Sequence, residues 1–258
     1  MDGRPRATIV KPSPRPRTFH PVPQHVLFSY FELPRARDKF FALANMGRGV
    51  ERFGRPAGME WLKLLGSGGG PGGFGLWPNW GGYALLAAFP TRVLAEAALD
   101  APLWRAYAEH SDLAGDAAQP ATRHLLLRPL QSHGLWDGVE PFRTSGAYDR
   151  DAPVAVLTRA RIRARHLPAF WSRVARVSES VREFPARAFS VGVGELPVIQ
   201  QATVSLWASG RAMEAYAYRS RYHAEVVRLT RQRGWYSEEL FCRFAVVAGA
   251  GGHMSPLR

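Results

Sequence analysis

Gly192 to Phe244 reads GVGELPVIQQATVSLWASGRAMEAYAYRSRYHAEVVRLTRQRGWYSEELFCRF. Its periodicity changes twice. Val198, Gln200, Ala202, Val204 and Leu206 alternate with Ile199, Gln201, Thr203, Ser205 and Trp207, a period of two that marks a strand. A helical run follows, and GWYSEELFCRFAVV returns to a strand pattern. With the VGVG run before it, the stretch is strand, strand, helix, strand. Within the helical run, Val226, Val227 and Thr230 lie three, four and seven residues after His223, on one helical face. A histidine on the apolar side of a helix above a sheet is a candidate metal ligand. A packed or half-exposed core histidine reads the same way, and spacing does not separate the two.

The rest of the chain extends this pattern. Val26 to Leu33 reads as a strand, Arg35 to Met46 as a helix, Met59 to Leu65 and Tyr83 to Phe89 as strands. Pro90 to His110 is helical with a break near Pro102, and His124 to Leu130 is a strand. Residues 131–152, which include WDGVEPF, are expected to be a linker. The order then restarts: a strand at Pro153 to Arg161, a helix at Leu167 to Arg182, a strand at Ala188 to Val193, and the opening stretch. Both halves, 25–130 and 153–248, read β-α-β-β-α-β. Leu64-Leu65-Gly66-Ser67-Gly68 is set against Ser190-Val191-Gly192-Val193-Gly194, and Tyr83 to Phe89 against the strand ending at Trp207. The expected fold is α+β: two ferredoxin-like halves whose sheets form one barrel, of the dimeric α+β-barrel type. Sites in such a fold lie between a sheet and its covering helices. Residues 1–24, rich in arginine and proline, are expected to be disordered.

Composition narrows the function. A single cysteine, Cys242, excludes an internal disulfide and a Cys-based zinc site, and it reads as a small core residue. No apolar run is long enough to span a membrane, and no secretory leader is expected. The net charge of +13 invites nucleic acid as a partner. The cations are nearly all arginine, with only Lys11, Lys39 and Lys63 as lysines, and they are scattered. A basic surface of that kind also suits an anionic membrane or an acidic electron-transfer protein, and nucleic acid is not expected. The glycine-rich Gly66 to Gly75 leads into Leu76-Trp77-Pro78-Asn79-Trp80 rather than a helix, so it is no phosphate cradle. It reads as a flexible hairpin beside a cavity. The eight histidines show no pairing at ligand spacing. Several of the eight tryptophans, Trp80, Trp207 and Trp235 among them, sit at strand ends beside glycines, where they would line a cavity mouth or pack the core.

The segments EWLKLLGSGGG, WPNW, LWDGVEPF, VGVGELPVIQQATVSLW and GWYSEELFCRF, in this order, resemble the spheroidene monooxygenase family, the acyclic carotenoid 2-ketolases of phototrophic bacteria. The resemblance implies an oxygen-using haem monooxygenase on the barrel fold. It implies a carotenoid-like polyene as substrate and an electron donor such as ferredoxin. Two hydroxylations at one carbon would give a geminal diol, which loses water to a ketone. His223 becomes the expected axial ligand of the iron, with Arg219 and Arg221 for the haem propionates. Gln200, Gln201, Trp207, Trp235 and Trp80 become candidates for lining the substrate pocket. The first half carries Trp104 or Arg105 near the matching helix position, so it offers no ligand and should hold no iron. Two other readings stand beside this one: a dehydratase-like haem enzyme on the same fold, and a basic binding module without catalysis. A cytoplasmic protein with peripheral membrane contact is expected.

Overall fold

The computed structural model describes residues 23–69, 74–111, 122–173, 184, 186–196, 198–219 (the last two as backbone alone), 228–230 and 232–249. The proline- and arginine-rich stretch up to residue 22 lies outside them. In the first half the order is β1 (His25–Glu32), α1 (Ala36–Asn45), α2 (Gly49–Phe53), β2 (Trp61–Gly68), β3 (Pro78–Phe89), α3 (Arg92–Ala97), α4 (Pro102–His110) and β4 (Thr122–Gly134). The second half follows with β5 (Val154–Ile162), helical residues 167–173 (α5), β6 (Arg187–Gly194), β7 (Gln200–Trp207), α6 (Gly210–Arg219) and β8 (Tyr236–Ala248).

The eight strands close into one barrel in the order β1-β3-β2-β6-β7-β5-β8-β4, and every pairing is antiparallel. Split at its two seams, the barrel is β4-β1-β3-β2 in the first half and the equivalent β8-β5-β7-β6 in the second, the two running in opposite senses so that β2 meets β6 and β4 meets β8. The fold is therefore α+β with duplicated ferredoxin-like halves. The two seams between the halves differ. β4 and β8 pair from Leu126↔Ala248 to Gly134↔Leu240, whereas among the described residues β2 meets β6 only at Gly66↔Gly194 and Ser67↔Val193.

Strand alternation sorts the side chains into two layers. In β1, Val26, Phe28 and Tyr30 point into the barrel against Leu86, Leu125 and Leu127. Leu27 and Phe31 point out, beneath the helices, against Ala42, Trp104 and Tyr107. Both faces are buried, which is why VLFSYF lacks polar alternation. Cys242 lies inside the barrel with no exposure, and burial pushes its thiol up, so it packs as a small apolar residue. Helix starts follow local chemistry. Thr91 Oγ1 accepts from Leu94 N at 3.3 Å, and Pro102 sits in the first turn of α4, where its missing N–H costs nothing.

Several boundaries differ from the sequence expectation. β3 begins at Pro78, so part of WPNW is strand, and β4 runs on through Gly134. Gly66 to Gly68 are strand residues of β2 rather than loop. β7 begins only at Gln200, because Gln200 N donates to Leu196 O (3.1 Å) and Val198 takes φ +75° in the turn. At Gly194 a Cβ would stand 2.3 Å from Gln200 O, so the turn out of β6 requires glycine.

LWDGVEPF closes one end of the barrel. Trp136 is buried in the barrel core, and Trp136 and Val139 form a bridge around Asp137 and Gly138, both with positive φ. Glu238 accepts from the N–H groups of Asp137 (2.9 Å) and Gly138 (2.8 Å). The Trp136 indole donates to Glu195 Oε2 (2.8 Å), and Lys63 Nζ donates to Glu195 Oε1 (2.7 Å). Arg159, with 1% of its side chain exposed, pairs with Glu238 and with Asp137 (3.2 Å) and stacks 5.2 Å from the Trp136 ring.

Candidate active site

Two duplicated halves can be laid over each other by register. Phe89 and Trp207 each end a strand three residues before a helix, and each pairs with the start of its half's first strand, at His25 and Val154. Ser29 then matches Thr158, Phe31 matches Ala160, Leu85 matches Thr203 and Tyr83 matches Gln201. Gly66 and Gly194 face each other across the seam, so Leu64 matches Gly192 and Leu62 matches Ser190. The pairs Leu64↔Leu85 and Gly192↔Thr203 agree with this. The expected alignment of Leu64 with Ser190 is thus two residues out of register: it matched glycine-rich text rather than strand pairing.

The corrected register exposes a difference between the two outer sheet faces. In the first half, Phe31, Leu62, Leu64, Tyr83 and Leu85 fill the face beneath the helices. In the second half, Ala160, Ser190, Gly192, Gln201 and Thr203 stand in their places. Ser29 has no exposure, and Trp104 of α4 covers it, its indole donating to Ser29 Oγ at 2.9 Å. Thr158, the matching residue, is exposed in the middle of a sheet, between buried Val156 and Ala160.

Aromatic clusters bound this floor of small residues at both ends. On one side Trp207, Tyr216 and Phe184 pack together, with centroids 5.1 to 5.8 Å apart, over Val154 and Val156. On the other, Phe170, Trp235 and Leu229 pack on Ile162, joined by Trp171 and by Phe74 from the first half. Arg243 stands on the outer face where the first half has Leu126. It lies 4.2 Å from the Tyr148 ring, and its buried Nε has no partner among the described residues.

The residues singled out in the sequence fall in different places. Gln201 lies half-buried on the floor. Gln200 is turned into the barrel end, where its amide is satisfied by Glu195 (3.2 Å) and Arg161 Nε (3.0 Å). Trp207 and Trp235 are buried in the two bounding clusters, and Trp80 is exposed on the β2–β3 hairpin of the first half. His223 and Arg221 lie outside the described residues, and Arg219 is described only as the last backbone position of α6. Sequence reading missed Thr158, Gly192, Thr203 and Arg243. Their signal is the absence of bulk relative to the other half, visible only in the correct register.

The chain is 37% identical to spheroidene monooxygenase of Rhodobacter capsulatus over 199 residues, covering 76% of this chain and 79% of that protein. The chain belongs to the spheroidene monooxygenase family. Spheroidene monooxygenases of Cereibacter sphaeroides and Rubrivivax gelatinosus are 32% and 34% identical, over 88% and 75% of this chain and 68% and 71% of theirs. No family model matches the chain. Among solved structures, an aldoxime dehydratase shares the fold at 12% identity, covering 87% of this chain and 81% of that one with a TM-score of 0.54. A second, in complex with butyraldoxime, does so at 13% identity over 90% and 87%, with a TM-score of 0.52. Membership in the spheroidene monooxygenase family makes this chain a monooxygenase, an oxygen-dependent oxidoreductase.

The filled half of this spheroidene monooxygenase relative carries its own titration. His124 Nδ1 lies 2.8 Å from Ser29 Oγ, and burial pushes the imidazole down from 6.5 to about 4. A base that is depressed in the fold binds its proton more readily when unfolded. Its contribution is complete above pH 6.5 and is lost as pH falls toward 4, by about 3 kcal/mol. Urea unfolding at neutral pH and near pH 4 should show that loss in the native chain and a shallower one in His124→Asn. An equal pH slope in both would disprove it.

Proposed function

We propose that the second half holds a haem on the small-residue floor and that the chain ketolates a carotenoid-like polyene. The observation that carries this reading is the substitution, in register, of Phe31, Leu64 and Leu85 by Ala160, Gly192 and Thr203, with Thr158 exposed between two aromatic clusters. A flat macrocycle needs a flat floor, and glycine, alanine and threonine provide one where leucine and phenylalanine would intrude. The residues present therefore fit the group.

In this reading His223 would hold the iron through a neutral imidazole, and Arg219 and Arg221 would pair with the propionates. Arg243, at the floor's edge with an unpartnered Nε, is a third cation available to a carboxylate. Haem, when bound, would supply oxygen activation. The chain's own residues do the rest. The clusters around Trp207 and Trp235 exclude water, and Gln201 offers an amide to orient substrate beside the floor. Each turnover places one oxygen atom in a C–H bond and reduces the other to water with two protons and two electrons. The electrons come from a donor protein such as a ferredoxin. An apolar polyene is delivered from a membrane, so peripheral membrane contact belongs to the same reading.

Titration of the purified chain with haem tests it. The native chain should give a stoichiometric Soret band, and His223→Ala should lose it or pass to a weakly ligated spectrum while far-UV circular dichroism stays unchanged. If His223→Ala keeps the native spectrum and His166→Ala loses it, the ligand is His166. Turnover that needs no oxygen or reductant would favour a dehydratase-like reaction instead.

A further inference from the structure

The two aromatic walls do not end at the floor; one of them continues to the surface. Phe74 of the β2–β3 hairpin crosses from the first half and lies 6.1 Å from the Trp171 ring. The Trp171 indole donates to Val198 O at 3.1 Å, in the β6–β7 turn. Ile199 O in that turn accepts from Ile162 N (2.9 Å), and Arg163 N donates to Trp235 O (2.9 Å). These contacts draw two hairpins and the start of α5 into one continuous surface.

That surface is apolar and basic. Trp77 is 79% exposed and Leu76 42%; across the Phe74–Trp171 contact, Leu196 is 52% exposed and Ile199 38%. Beside them stand Arg163, Arg165 and Arg233, all exposed, around His166. Arg163 Nε donates to Tyr236 O and Arg165 Nε to His166, and among the described residues none of the three arginines has a carboxylate partner. Other surface arginines do have carboxylate partners: Arg143 pairs with Glu60, Arg150 with Glu214 and Arg211 with Asp151. Burial, then Arg165, Arg163 and Arg233 in turn, hold the His166 pKa down.

We propose that this surface, formed by Leu76, Trp77, Leu196, Ile199 and the arginines 163, 165 and 233, docks the chain on an anionic lipid bilayer. Tryptophan partitions to the headgroup level, aliphatic side chains enter the acyl boundary, and arginine pairs with lipid phosphate. An acidic protein partner would match the arginines alone and leave the exposed tryptophan and aliphatic residues in water. The surface adjoins the cluster that bounds the floor, so docking sets the site's edge against the membrane. The choice of a bilayer rests in part on the polyene reading, but vesicle binding without substrate or haem measures the surface by itself. Failure here and failure of the haem titration are therefore distinguishable.

The test is co-sedimentation of the full chain with phosphatidylcholine vesicles, with and without phosphatidylglycerol. The native chain should pellet with the mixed vesicles. Arg163→Gln/Arg165→Gln/Arg233→Gln should bind them about a hundredfold more weakly, as expected when about 1 kcal/mol is lost for each of three cations. Trp77→Ser/Leu196→Ser should also lose about tenfold or more and should lose tryptophan quenching by brominated lipid. All substituted residues are exposed, and circular dichroism checks the fold. A native chain that stays in solution overturns the proposal, as do variants that pellet as well as the native chain. So does loss of affinity for an acidic ferredoxin-type protein in the arginine variant while vesicle binding is kept.

Discussion

Gly192→Leu/Thr203→Leu is expected to abolish stoichiometric haem uptake and oxygen-dependent turnover while leaving the chain folded. The double change writes the first half's Leu64 and Leu85 onto the matching positions of the second. Those leucines already pair across β2 and β3 in this protein, so the sheet geometry accepts them. What they remove is the low floor. Overpacking costs about 1–3 kcal/mol per intruding side chain, so the pair should weaken haem binding by at least about thirtyfold. The control is the reverse change, Leu64→Gly/Leu85→Thr in the first half, which should destabilise the chain without altering the haem spectrum. If the leucine variant binds haem like the native chain, the floor is not where the cofactor lies.

The largest loss of stability is expected at the closed end of the barrel. Trp136→Ala should cost about 3–5 kcal/mol, because it empties a buried indole site against Trp61, Phe142 and Arg159. Arg159→Ala should cost about as much for another reason. It leaves Glu238 and Asp137 without their shared cation in a place where Arg159 is almost wholly buried. Combining the two should cost less than the sum, because they share a contact. Urea unfolding followed by far-UV circular dichroism reads all three. A loss below about 1 kcal/mol for either single change would mean that the closed end of the barrel adds little to the fold.

The strand order was legible because each half repeats the same pattern of period two and period 3.6. The β-α-β-β-α-β order, the break at Pro102 and the core position of Cys242 all follow from it. What could not be read was register. Glycine-rich text at Gly66 and at Gly192 looks alike, and only hydrogen-bond partners tell which glycine matches which. That two-residue slip hid the floor, since it set Leu64 against Ser190 and Gly192 against Gly66. The charged network at the closed barrel end was hidden for a different reason. Lys63, Asp137, Arg159, Glu195 and Glu238 come from five separate stretches, so no local pattern announces that they meet. Gln200 and Gln201 were ambiguous by nature: alternation says that they face opposite ways, but not which way.

Gly66 and Gly194 mark where the halves meet face to face, as two copies of one subunit would across a twofold axis. In such a pair of copies one gene writes both floors, and any substitution that opens one opens the other. Joining the copies end to end lifts that constraint. One lobe can keep leucine and tryptophan packed under its helices and carry more than its share of the cohesion. The other is then free to trade bulk for a binding surface without the whole barrel falling below the threshold at which it folds.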